Sequence, residues 1–161
     1  MTRLKWIPVA AALGAGALIA CAEQVDESAA LTASAAPLTR LAEDASLQWG
    51  PCPDLFPAGC EITVLHGDPA QPNADVFLRT PGGGFRLPPH THSSAERMIL
   101  VRGEMAVDYQ GADPATLSAG EYAYGPAGLP HEASCVSQQA CVLFIAFEGP
   151  VDAMAFEGSV R

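Results

Sequence analysis

The chain has almost no lysine. Lys5 stands alone in 161 residues, and it and the arginines together total only eight cations against eighteen aspartates and glutamates, a net charge of −10. That balance excludes the basic surface through which proteins hold nucleic acid, and it repels anionic lipid headgroups. Long hydrophobic runs are missing as well. Ile7 to Ala20 is apolar, but it falls short of the ~20 residues that a helix needs to cross a bilayer and is broken by Pro8 and two glycines. No internal repeat points to a duplicated barrel. Gly82-Gly83-Gly84 is too short, and wrongly placed, to cradle a phosphate.

What is present begins with an export pattern. Arg3 and Lys5 precede the apolar run, as in a bacterial secretory signal peptide over 1–20. Leu18-Ile19-Ala20-Cys21 resembles a lipobox, in which Cys21 is acylated and becomes the mature N-terminus. Ala20-Cys21-Ala22 also fits an A-x-A cleavage site, which would release the protein unanchored. The lipoprotein reading places the protein in the periplasm, anchored to the outer membrane through Cys21, with no other membrane contact. Residues 21–46, rich in Ala, Ser, Thr and acids, read as a flexible tether, although Leu38, Leu41 and Leu47 would also suit a short helix.

Four cysteines follow Cys21, an even number in an exported chain. Three pairings are possible, and the local ones, Cys52–Cys60 and Cys135–Cys141, close the easiest loops. A competing reading leaves Cys135 as a free thiol, four residues after His131 and on its face of a strand.

From Trp49 onward short apolar runs are separated by Gly, Pro and Asn, the pattern of an all-β sandwich or barrel. Strands are predicted near 61–66, 75–80, 84–90, 96–102, 104–109, 115–118, 121–124, 130–136 and 141–148, within a domain over 47–161. His90 and His92 share a strand face, Glu96 shares their parity, and His131 joins them from elsewhere. Three imidazoles and a carboxylate suit one divalent ion, Fe, Mn, Zn or Ni, with positions left for a small-molecule ligand. Glu96 has two roles open to it: metal ligand, or general base for a bound substrate. His66, beside Gly67-Asp68-Pro69 at a strand-to-turn junction, reads instead as a residue that caps or hydrogen-bonds a loop.

The spacing resembles that of the cupin superfamily. Its first motif reads here as Gly84, His90, His92, Glu96 and Gly103, and its second as Gly120, Pro126, Gly128 and His131. Cys135 stands where the family usually has Asn. The resemblance implies a single double-stranded β-helix, the jelly-roll cupin barrel, with His90, His92, Glu96 and His131 at the metal. It also implies a homodimer through sheet faces. Both faces of 96–102 and of 141–147 are apolar, which demands cover from a second subunit or from segment 38–60.

Around the metal, Phe77, Phe85, Met98, Leu100, Met105 and Phe144 are candidate pocket residues, with Tyr122 and Tyr124 as candidates to orient a ligand or move a proton; all of them would serve equally as core. Cupins include oxygenases, oxidases, decarboxylases, lyases and isomerases, so a metal-dependent small-molecule dioxygenase or oxidase is one expectation. A non-catalytic cupin that senses or binds a ligand or metal in the envelope is the other. Fold resemblance does not choose between them.

Overall fold

Side chains alternate along a strand, so each short apolar run from Trp49 onward offers one face to an interior. The computed structural model describes residues 37–161. The signal segment 1–20, Cys21 and most of the 21–46 tether lie outside the described residues. Eleven strands are formed: β1 (Gly50–Pro51), β2 (Glu61–His66), β3 (Asp75–Thr80), β4 (Phe85–Thr91), β5 (Glu96–Arg102), β6 (Glu104–Tyr109), β7 (Ala115–Ser118), β8 (Tyr122–Gly125), β9 (His131–Cys135), β10 (Cys141–Phe147) and β11 (Met154–Ala155). No helix occurs among the described residues.

The strands form two antiparallel sheets. One has the order β1-β2-β3-β10-β5-β8 and the other β11-β4-β9-β6-β7, so the chain crosses repeatedly between layers, as in a jelly roll. The main core lies between them, where Val76, Leu87, Leu100, Met105, Val107, Leu143 and Ile145 are all buried. Gly103 makes the tight turn from β5 to β6. Its φ is +90°, and a Cβ there would come within 2.8 Å of Cys141 Sγ, so both backbone and space require glycine.

A second apolar cluster covers the other face of the six-stranded sheet. Phe77 and Val142 are buried there with Ala42, and Leu47, Trp49 and Phe144 pack against them. This corrects the pocket expectation for Phe77 and Phe144: both point away from the barrel interior. Their parity is opposite to that of Leu78 and Leu143, which fill the main core. The chain therefore covers part of this face with its own segment 42–49, which also forms an ion pair from Glu43 to Arg102 at 2.8 Å. Cover over β5 and β8 is incomplete, leaving Ile99, Val101, Tyr122 and Tyr124 exposed.

Two disulfides close the framework. Cys52–Cys60 ties a loop ahead of β2, and Cys135–Cys141 joins the end of β9 in one sheet to the start of β10 in the other. The structure thus pairs Cys135 rather than presenting it as a thiol.

Candidate metal centre

The site begins with a bulge. Proline cannot donate to a ladder, and at Pro88-Pro89 the β4–β9 register shifts between Leu87 and His90. Leu87 and His90 are an odd number of residues apart, yet the extra residue lets both face the interior. His90 is then paired with His131 across the ladder, and His131 with Tyr109 on its other side. His92 follows β4, and Glu96 opens β5. All four predicted ligands are buried, Glu96 at 2% exposure.

Their polar atoms converge. Among the described residues, His90, His92 and His131 each offer a ring nitrogen within 4.8 Å of the others. Glu96 Oε2 lies 3.5 Å from His92 Nε2, and Oε1 lies 3.3 Å from His131 Nε2. The opposite nitrogen of every ring meets a main-chain carbonyl: Nδ1 of His90 donates to Pro88 O at 2.7 Å, that of His131 to Leu129 O at 3.1 Å, and that of His92 to Asp152 O. A carbonyl only accepts, so each Nδ1 carries the hydrogen and each Nε2 turns its lone pair inward. This second contact is what orients a metal-binding imidazole.

Electrostatics agree with that assignment. Burial, reinforced by the neighbouring His131, lowers the His90 pKa to about 4, which keeps the ring neutral and able to ligate. Burial works to raise the Glu96 carboxyl, but its close contact with His131 and the surrounding imidazoles outweighs it and holds the group below the usual carboxylate range. Glu96 is therefore an anion, and its Oε1 is buried without a hydrogen-bond partner. A buried carboxylate oxygen left open beside three inward lone pairs is what a divalent cation would satisfy, so the donor set fits one.

Beside these groups lies a cavity of about 50 Å³, room for a few water-sized groups. Met98 and Met105 line it, together with Phe147, Ile145 and Phe56. Leu100 is in the core beyond it and Phe85 packs at the core's margin. Tyr122 and Tyr124 are corrected: they are 57% and 49% exposed, because Ala123 between them takes the inward position on β8.

Three neighbours of the site were not anticipated. Tyr109 has its ring 5.2 Å from that of His131, Phe56 packs edge-on against His90 at 4.9 Å, and Asp152 supplies the carbonyl for His92. Tyr109 was legible, since it shares parity with Met105 and Val107 on β6. Phe56 sat in the loop between two cysteines, and nothing in a sequence marks a carbonyl such as that of Asp152.

A family model described as the ChrR cupin-like domain matches residues 38–152. A search of curated proteins finds no match. Among solved structures, the chain is similar to an RmlC-like cupin from Shewanella frigidimarina NCIMB 400, at a TM-score of 0.55 and 19% identity over 72% of this chain and 93% of that one. It is similar to a structure described as DMSP lyases RdDddP and RnDddQII, at a TM-score of 0.60 and 18% identity over 69% of this chain and 63% of that one. An oxalate oxidase matches at a TM-score of 0.49 and 19% identity over 58% of this chain, which spans about half of the oxidase, 53%. At these identities the likeness is one of fold.

Proposed function

The chain belongs to the ChrR cupin-like family of the cupin superfamily, and from that footing we propose that it is an exported protein holding one divalent metal ion for small-molecule chemistry. His90, His92 and His131 would ligate through Nε2 and Glu96 through its carboxylate. The observation that carries the reading is the tautomer pattern: all three buried rings spend Nδ1 on main-chain carbonyls and leave Nε2 facing one point. Bound there, the ion would supply Lewis acidity, and iron or manganese would add redox chemistry with oxygen.

The residues around it favour a small-molecule dioxygenase or oxidase over a purely structural site. A structural centre is closed on all sides, whereas this donor set has an apolar-lined cavity beside it with room for a ligand of a few atoms. Glu96 is positioned either to complete the ligand set or to accept a proton from whatever occupies the cavity. The export signal in 1–20, with Cys21 as a lipidation site, supports a periplasmic, lipid-anchored setting and substrates available there.

A second reading is a cupin that binds or senses a ligand or metal without turnover. The small cavity favours it, since few substrates fit whole within about 50 Å³.

Elemental analysis of protein matured in its own envelope, followed by oxygen uptake with a panel of small acids, thiols and phenols, separates these. One equivalent of iron or manganese with uptake is the expected result. Stoichiometric zinc without uptake favours the binding reading, and protein purified with no metal overturns the metal-dependent one. His92→Ala should lose the ion; full occupancy in that variant would refute the ligand assignment.

A further inference from the structure

A second, larger space adjoins the cavity beside the four donors. A groove of about 480 Å³ lies on the outer side of the loop closed by Cys52 and Cys60, and the two spaces share two walls, Cys52 and Phe56. Phe56 is half-buried, with its ring edge-on to His90 on one side and the groove on the other. The Phe56 ring and the Cys52 end of the disulfide therefore stand between about 50 Å³ of space at the donors and a much larger open one.

The backbone around Phe56 is held. Cys52–Cys60 closes the loop, Cys52 N–H donates to Cys60 O at 3.1 Å, and Phe56 N–H donates to Pro53 O at 2.9 Å. Gly59 seats the loop against the barrel, where a Cβ would come within 3.1 Å of Pro81. The opposite wall is held too, since Asp152 accepts from His92 and from Ser93 N–H, and Val151 N–H donates to Pro69 O. With both walls fixed, the part free to move is the Phe56 ring, by rotation about its χ angles.

We propose that Phe56 is the gate of this site and sets its specificity: its ring swings aside to admit an oxygen-donor head group such as a carboxylate to the four donors, while the rest of the ligand lies in the outer groove. The inner cavity takes about the volume of a carboxylate and offers no polar side chain besides the three imidazoles, Glu96 and Asp152. The ligand's body then has to be accommodated beyond Phe56. This rests on the metal-centre reading for the head group but not for the gate.

The test uses the mature protein in two states. In metal-free protein, diethyl pyrocarbonate modification of His90, His92 and His131, resolved by peptide mass spectrometry, reports access without any ion. Phe56→Ala should accelerate it by roughly tenfold, equivalent to about 1.4 kcal/mol off the opening barrier, and Phe56→Trp should slow it. Phe56→Leu, which keeps an apolar contact with the core, should fall between wild type and Phe56→Ala and guards against loss of folding as the cause. In cobalt-loaded protein, acetate association followed by the metal's visible bands should show the same order, with cobalt content unchanged across the variants. Equal modification rates in wild type, Phe56→Ala and Phe56→Trp would overturn the gate. Failure of every variant and of wild type to take up cobalt would overturn the metal reading, while the modification rates still decide the gate.

Discussion

Tyr109 stands directly opposite His131 across the β6–β9 ladder, its ring 5.2 Å from the imidazole, and its hydroxyl is buried with no hydrogen-bond partner. Burial, together with the charge of Glu96, pushes the phenol pKa up, so the group is a neutral donor with nothing to donate to. An unmade buried hydrogen bond costs on the order of 1–3 kcal/mol. Tyr109→Phe should accordingly leave stability unchanged or raise it by about 1 kcal/mol, read as the urea midpoint of metal-free protein. Destabilisation of similar size would mean that the hydroxyl has a partner in solution.

Gly125 faces Glu96 across the β8–β5 pair, and a Cβ at that position would lie 2.7 Å from Oε1 and 2.8 Å from Cγ of the glutamate. Gly125→Ala thus displaces the carboxylate by an atom's width, with no demand on the backbone. Metal affinity is expected to fall about tenfold or more while far-ultraviolet circular dichroism stays as in wild type. Unchanged affinity would assign Glu96 to proton transfer and not to ligation.

The acid response of the metal-free protein follows from His90. Its pKa is about 4 in the folded chain against an ordinary 6.5, so on acidification the unfolded chain takes up this proton first. Stability is complete above about pH 6.5, falls as pH drops toward 4, and stops falling there on this account, by up to about 3 kcal/mol. Glu96, held low when folded, adds a further loss as pH falls through its depressed value. Urea midpoints taken across this range test the window, and His90→Gln should flatten its upper part.

Much of this was readable in the residues because two regularities repeat. Strand alternation located nine of the strands to within a few residues, and the two spaced motifs resembling those of cupins picked out His90, His92, Glu96 and His131, which converge. The two shortest strands, β1 and β11, have two residues each and so carry no periodicity to read. Alternation alone does not decide between the layers for Phe77 and Phe144. An apolar residue on a strand covered on both faces looks the same whichever layer it joins, and only the docking of Ala42, Leu47 and Trp49 on the outer face shows which. Tyr122 and Tyr124 erred through parity, since small Ala123 claims the interior and sends both rings outward.

Those rings bear on assembly. Tyr122 pairs directly with Ile99, and with Val101 and Tyr124 they leave an apolar strip at the β5–β8 edge that segment 42–49 does not reach. Association of two copies through this strip is the expected outcome, seen as a dimer mass by light scattering at micromolar concentration. Ile99→Asp should give a folded monomer. A wild-type mass that is already monomeric would leave the strip without this role.

The three imidazoles of the centre lean on peptide carbonyls, not on other side chains. A peptide carbonyl is present whatever residue supplies it, so the outer shell of the site is immune to most point substitutions. Its weakness is length. An inserted or deleted residue between Pro88 and His90, between Leu129 and His131, or near Asp152 would move a carbonyl out of register and release a ring. Drift among related chains should therefore be free in residue type at these supporting positions and strict in spacing, which leaves the surrounding pocket open to change while the metal-binding geometry is kept.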